Sequence, residues 1–277
     1  EPVARLVRQT MPQAAVILST WCFDYKFPGE EYAGLAEAFA DRPDWVDYLM
    51  VDSHGAFPQP VLDNGPAGGL PILGFPEISM IGMHPWGGFG ANPLPERFQG
   101  IWDQCKAILS GGFPYSEGIF EDLNKVLCLQ WYWAPQRPGT DIVREYATAE
   151  FGADVALDVI RAVEAMEAAH SFFMPQQNEE QGAVRLLTEA EAKAKQRPAI
   201  LTEAEAKLAP QVRQSWRWRI LRLREELDLA LAQSGGVMTD EIDAALWELT
   251  RIYYAEEADV RVVPPTLSAL RRLGRIK

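Results

Sequence analysis

The side chains best suited to chemistry in this sequence are acidic and aromatic, and they fall where short apolar runs end. Glu77 lies in Phe75-Pro76-Glu77-Ile78, near the end of a strand expected over 71–79. Carboxylates at the C-terminal ends of parallel strands are where β/α barrels place acids, bases and nucleophiles. Glu117, in Tyr115-Ser116-Glu117-Gly118, follows the next expected strand directly and should project into the same mouth. Together they suit acid/base or nucleophilic attack on an acetal bond, which needs two carboxyl groups on either side of the bond. The competing reading of Glu77 is a carboxylate that only orders a neighbouring loop. Glu121 and Asp122 fall in the first turn of a helix, where complementing the helix dipole explains them.

A second set would recognise substrate. Asp24 follows the first expected strand in Trp21-Cys22-Phe23-Asp24-Tyr25, and Asp52 and His54 follow the second in Val51-Asp52-Ser53-His54-Gly55. The D-x-H spacing suits a metal, but a third ligand of matching type is not evident, His84 being the one loop candidate. Recognition of sugar hydroxyls by Asp52 and His54 is the more natural expectation, with no metal and no cofactor. The chain carries nine Trp, and Trp86 sits in a Gly/Pro loop, Pro85-Trp86-Gly87-Gly88. Trp21, Trp86, Trp131 and Trp133 are candidate platforms for sugar rings, against the alternative of plain packing. Cys22, Cys105 and Cys128 are odd in number and widely spaced, and all three are expected to be buried thiols. G-x-S-x-G, P-loop and H-E-x-x-H patterns are lacking, which removes support for acyl transfer, phosphoryl transfer and zincin chemistry.

With 277 residues and 48% hydrophobic content the chain can build one large core or two modest ones. Its 39 acidic against 26 basic residues, a net charge of −13, argue against nucleic acid and against an anionic membrane surface. The sequence has no apolar run of the roughly 18–20 residues that span a bilayer. Glu1 opens into an amphipathic segment rather than a leader peptide. The missing initiator Met gives the expectation of a processed, trimmed or partial chain, and the compartment is left open.

The elements that must position these residues alternate. A helix over 3–11, stopped by Pro12, leads to a buried strand over 14–20. A helix follows at 31–41, then strands at 48–52 and 71–79 separated by a Gly/Pro-rich loop, 53–69. After the loop 82–95 come a helix to about 110, a strand at 111–115 and a helix from 119 to 131. Repeated strand, helix, strand implies a parallel sheet, and long loops after strands are the mark of a barrel face. A dinucleotide fold loses ground because G-x-G-x-x-G does not follow the first strand. Four strands are half of the eight a closed barrel needs. The fold class expected is therefore α/β, the C-terminal half of a TIM barrel over 1–138, followed by an all-α helical domain over 139–277. An N-terminal half-barrel or a homo-oligomeric partner would complete it.

In the second part, 141–151 reads as a helix with Thr140 as N-cap and Gly152 as stop, followed by helices over 153–173, 211–232 and 239–255. Apolar residues at 216, 220, 223, 227 and 231 mark the third of these as amphipathic. LTEAEAK occurs at 187–193 and again at 201–207, two similar helical stretches broken at Pro198, and the basic segment 260–277 reads as a solvated surface.

The stretch YSEGIFEDLNKVLCLQWYWAP at 115–135 resembles one in bacterial glycoside-hydrolase-like barrels related to the α-glucuronidase and β-N-acetylhexosaminidase groups. The resemblance continues through Asp141 to Tyr146, Phe151-Gly152, the Leu187-x-x-Ala190-Glu191 pattern and the Arg219 to Leu231 helix. It implies a barrel with a helical domain after it, and a carbohydrate substrate. If the strands are the fifth to eighth, it implies Glu77 as nucleophile or base after the seventh, and puts the usual acid outside these residues. The Asp-Glu pair of hexosaminidases has no counterpart, so substrate-assisted chemistry is not implied. Two other functions stay open. One is a non-catalytic glycan-binding relative, and the other an assembly protein acting through the helices at 153–173 and 211–232.

Overall fold

The computed structural model describes residues 1–53, 55–79, 93–116, 122–169, 199–234 and 239–253. The chain divides into two compact units, one of Glu1–Ile78, Arg97–Tyr115 and Cys128–Gln136, the other of Ser79–Glu96, Ser116–Leu127 and Arg137–Lys277.

The first unit is α/β. Its parallel strands β1 (Ile17–Ser19), β2 (Tyr48–Ser53), β3 (Ile72–Ser79) and β4 (Leu109–Gly112) stand side by side in chain order. Helix α1 (Pro2–Thr10) precedes β1, and α2 (Glu31–Ala38), α3 (Gln59–Asn64) and α4 (Pro95–Cys105) link the successive strands. A short β5 (Tyr115–Ser116) also pairs with β3, and α5 (Asp122–Trp133) comes next. An order without reversal has no switch point, the feature on which doubly wound sheets build their sites.

Registers Leu49↔Ile72, Val51↔Gly74 and Ser53↔Pro76 put one set of side chains on a common face. That face is buried, and Ile78 continues it. The opposite face carries Tyr48, Met50, Leu73 and Phe75, all only half-buried, and then Asp52 and Glu77, which are buried. Helices cover the first face closely. Trp102 of α4 stacks on Trp131 of α5 with ring centroids 5.9 Å apart, and its indole N–H donates to the Pro135 carbonyl at 2.9 Å. Tyr132 reaches under the sheet and donates to the Gly74 carbonyl at 3.4 Å. Gly112 makes this possible, since a Cβ there would sit against the Tyr132 hydroxyl and 2.5 Å from the Gly74 oxygen.

Some expectations change. The segment 53–69 is not a plain loop but holds α3 and a 3₁₀ turn over Ala67–Gly69. Its signals are proline in the first turn and Gly65 at φ 76° just past the end. The strand expected over 14–20 shortens to β1, with Ile17 exposed, because β2 is its one neighbour among the described residues. The fourth strand starts earlier, at Leu109, and is interrupted at Phe113-Pro114, where Pro114 has no N–H to donate. Cys105 and Cys128 are buried as expected, but Cys22 is exposed.

The second unit is helical among the described residues: α6 (Gly139–Phe151), α7 (Ala153–Ala169), α8 (Ile200–Ala204), α9 (Pro210–Arg213), α10 (Trp216–Ser234) and α11 (Asp240–Tyr253). Pro138 rather than Thr140 takes the N-cap position of α6, and Gly152 stops it at φ 100°. The helix expected over 211–232 is two, α9 and α10, parted at Gln214-Ser215. Ile220, Leu223 and Leu227 are buried as the periodicity requires. Trp216 is exposed instead, and Trp218 takes the interior place, 5.6 Å from the Phe151 ring. The buried Glu225 carboxylate accepts from the N–H groups of Leu201 and Thr202 at the start of α8, each at 3.0 Å, and pairs with Arg222. Residues 80–92, 117–121, 170–198 and 254–277 lie outside the described residues, and with them the loop around 82–92, the first LTEAEAK stretch, the break at Pro198 and the basic terminus.

Candidate functional site

The site begins where β1 ends. Thr20 donates its N–H to the Met50 carbonyl at 3.0 Å, and its buried hydroxyl lies 3.1 Å from the Tyr32 hydroxyl. The chain then turns sharply, with Cys22 at φ 62° and Asp24 at φ 60°, left-handed conformations that non-glycine residues rarely adopt. This turn brings Trp21 over β3, where its indole N–H donates to Glu77 Oε1 at 2.6 Å. The next backbone amide, that of Cys22, donates to Asp52 Oδ2 at 3.1 Å on β2. One loop thus grips a carboxylate on each of two neighbouring strands.

A reciprocal pair of hydrogen bonds closes the loop. Asp24 Oδ1 accepts from the Glu31 N–H at 2.8 Å, and Glu31 Oε2 accepts from the Asp24 N–H at 2.6 Å. The logic is that of a capping box, in which two side chains serve each other's backbone donors at a helix start. Asp24 therefore anchors the loop to the first turn of α2.

Glu77 is 0% exposed, while Trp21 is 53% exposed, so the indole bonds a buried carboxylate through its edge and keeps open ring surface. Asp52 pairs in register with Phe75, two residues before Glu77, so the two carboxylates share a face on adjacent strands. Strand spacing and rise place their Cα atoms roughly 8 Å apart. Although Cys22 is exposed, partial desolvation of its thiol, followed by the negative charges of Asp52, Glu77 and Glu31, pushes that thiol up. A nucleophilic cysteine needs the opposite environment, so Cys22 sits here as a neutral thiol. Burial likewise raises the Tyr32 hydroxyl, which keeps it protonated beside Thr20.

Of the residues singled out in the sequence, the structure brings Trp21, Asp52 and Glu77 together and puts Asp24 in the loop's anchor. His54, His84, Trp86 and Glu117 lie outside the described residues. Trp131 is core, stacked on Trp102, and Trp133 is exposed. Among the described residues no group of three or more His, Cys, Asp and Glu could hold a metal ion. No helix among them is long and apolar enough to cross a membrane. A cavity of about 370 Å³ lies on the other side of the sheet, lined by Leu49, Val51, Tyr32 and residues of α3. Leu49 and Val51 belong to the helix-covered face, so this cavity and the carboxylates are on opposite faces.

No protein-family model matches the chain, and no curated protein matches it either. The geometry around Glu77 must carry the functional reading.

Sequence reasoning missed the Cys22 amide and the Glu31 carboxylate. Neither had a signal, because a backbone donor is indifferent to side-chain type and the Asp24 to Glu31 spacing is not that of a local cap.

Proposed function

We propose that these residues form the C-terminal half of a β/α barrel glycoside hydrolase, with Glu77 as its nucleophile or base and a helical domain following. The observation that carries the proposal is the Trp21 to Glu77 hydrogen bond of 2.6 Å, a fixed carboxylate beside an open aromatic surface at the C-terminal end of a parallel strand. Stacked aromatic faces suit the C–H surface of a sugar ring, and oriented carboxylates suit the charge that develops at an anomeric carbon. The sequence-order sheet with a half-buried inner face supports an arc of a barrel. The resemblance of 115–135 to bacterial glycoside-hydrolase-like barrels points the same way. Asp52 gains a role as a polar neighbour of the scissile bond, with Glu117 or a residue of the other half-barrel supplying the remaining carboxyl group. Carboxyl separations of about 5–5.5 Å would mean retention and about 6.5–9.5 Å inversion.

The test is Glu77→Gln in the complete natural protein, assayed with chromogenic glycosides. Turnover should fall about 10³-fold, within the range for loss of a positioned acid or base, with the thermal midpoint little changed. Wild-type turnover in the variant would remove Glu77 from the chemistry. The full burial of Glu77 favours a second reading, a glycan-binding barrel without hydrolysis. That reading expects retained glycan affinity, lost on Trp21→Ala, in a wild-type protein inert toward every glycoside.

A further inference from the structure

Protein interiors leave few voids larger than a water molecule, yet a cavity of about 370 Å³ lies between the helix-covered face of the sheet and helices α2 and α3. Side-chain size makes the space. Ala33 and Ala36 of α2, and Gly65 and Ala67 after α3, line it without reaching across. An engineered cavity of about 150 Å³ takes up benzene, so this one has room for a ring with a short arm. Its floor of Leu49, Val51 and Val61 is apolar and buried. One polar pair interrupts that floor: the hydroxyls of Thr20 and Tyr32, 3.1 Å apart. Thr20 Oγ1 also donates to the Met50 carbonyl at 3.3 Å. The Tyr32 proton therefore goes to Thr20, and the Tyr32 oxygen keeps its acceptor lone pairs. At the rim, Gln59 donates to Asp63 Oδ1 at 2.6 Å and Asn64 to the Pro60 carbonyl at 3.1 Å. Asp63 is the one charged group among the described lining residues, which include no Lys, Arg or His. An anionic ligand would meet an apolar floor and a like charge, whereas a donor head finds an accepting oxygen.

We propose that this cavity is a ligand site for a compact apolar molecule bearing one alcohol or amine head, and that its occupant steadies the loop carrying Trp21. The site stands apart from the glycosidase reading, since it needs neither Glu77 nor a sugar. Its volume and its mostly apolar lining with a few polar groups are those of small-molecule pockets in general. Tyr32 makes the connection to the loop. Its backbone N–H lies 3.4 Å from Asp24 Oδ1, and its ring meets Phe23 edge-on with centroids 5.4 Å apart. Its hydroxyl bonds Thr20, the residue before Trp21. One residue of the cavity thus touches the loop on both sides of Cys22, within the left-handed turn. A ligand shifts an equilibrium by its differential affinity for the two states. A molecule packed on Tyr32 binds the loop conformation that Tyr32 supports, and gives the ring the neighbouring atoms that an open cavity denies it.

The test titrates the protein by calorimetry with one apolar body carrying three heads: cyclohexylmethanol, cyclohexylmethylamine as its ammonium, and cyclohexanecarboxylate. The alcohol and the ammonium should bind one to one with dissociation constants below about 1 mM, and the carboxylate roughly tenfold more weakly. Ala36→Phe, which puts a ring into the space, should abolish binding. Tyr32→Phe, which keeps the ring but removes the accepting oxygen, should weaken the alcohol by about fivefold, the effect of one ordinary hydrogen bond. Should Ala36→Phe fail to fold, Tyr32→Phe decides the site by itself. A carboxylate that binds as well as the alcohol, no binding of any of the three, or unchanged affinity in Tyr32→Phe would overturn the ligand site. Cys22 reports on the loop, because it is exposed while Cys105 and Cys128 are buried. Its alkylation by a maleimide, followed by peptide mapping, should slow by roughly threefold or more when the alcohol saturates the site. An alkylation rate indifferent to the alcohol would overturn the coupling to the loop.

Discussion

Cys22 and Asp24 hold left-handed backbone conformations within three residues of each other, and such strain costs on the order of 1–3 kcal/mol per residue. The surroundings enforce it through the Cys22 amide on Asp52 and the Asp24–Glu31 exchange. Branching at Cβ makes the same conformation worse, so Cys22→Val should lower stability by about 1–2 kcal/mol, while Cys22→Gly should cost less than half of that. Urea unfolding of the two variants measures this, and equal losses would mean that the turn is not strained. Individually, Trp21 and Glu77 were legible in the sequence, as an aromatic after one strand and a carboxylate ending another. Their hydrogen bond spans 56 residues and had no local sign. Asp24 was legible as a loop acid, but not that its partner would be Glu31. Cys22 was expected to be buried because free thiols usually are, yet the turn that aims Trp21 at Glu77 leaves its side chain outside.

The sheet shows most directly what periodicity can reveal. Runs such as Tyr48 to Asp52 and Pro71 to Ser79 are apolar on both faces and became parallel strands within a residue of their expected limits. Helix α3 escaped notice because its six residues, QPVLDN, hold too few apolar positions to show a period. The division of α9 from α10 escaped for another reason: the apolar positions 216, 220, 223, 227 and 231 all fall in α10, and the polar stretch before them carries no Gly or Pro to mark a break at Gln214-Ser215. Packing against the sheet depends on Gly112 and Gly74, which leave the room that the Tyr132 hydroxyl fills. Gly112→Ala should therefore cost about 1–3 kcal/mol, the range for forcing atoms into a filled core. Combining it with Tyr132→Leu, which removes both the hydroxyl and the ring carbon in the way, should restore part of the loss. A double variant no better than Gly112→Ala alone would show that the backbone, rather than Tyr132, is the obstacle.

Over the whole molecule, burial raises several neutral acids. Cys105 and Cys128 are pushed up from 9.0 to about 12, and burial also raises the hydroxyls of Tyr132 and Tyr146. A group whose folded pKa is raised contributes its stability in full below its unfolded pKa and loses it as the pH climbs toward the folded value. Stability should accordingly be level up to about pH 9 and fall progressively from there to about 12. The urea midpoint against pH measures this, and a flat profile to pH 11 would contradict the burial of these groups. At this scale the sequence revealed an α/β portion followed by helices and the acidic balance. It did not reveal how the units divide, because Ser79–Glu96 and Ser116–Leu127 join the helical unit from within the α/β stretch.

The chain-order arrangement β1-β2-β3-β4 has a further consequence, for how the protein is made. Within β1 to β4 each strand adds beside the one synthesised just before it, so pairing inside this arc does not wait for a distant stretch of chain. Contacts of short sequence separation form quickly, and domains emerging from the ribosome at about 5–20 residues per second fold from the N-terminal side. The sheet can grow by one strand and one helix at a time during translation, each new unit templated by the last.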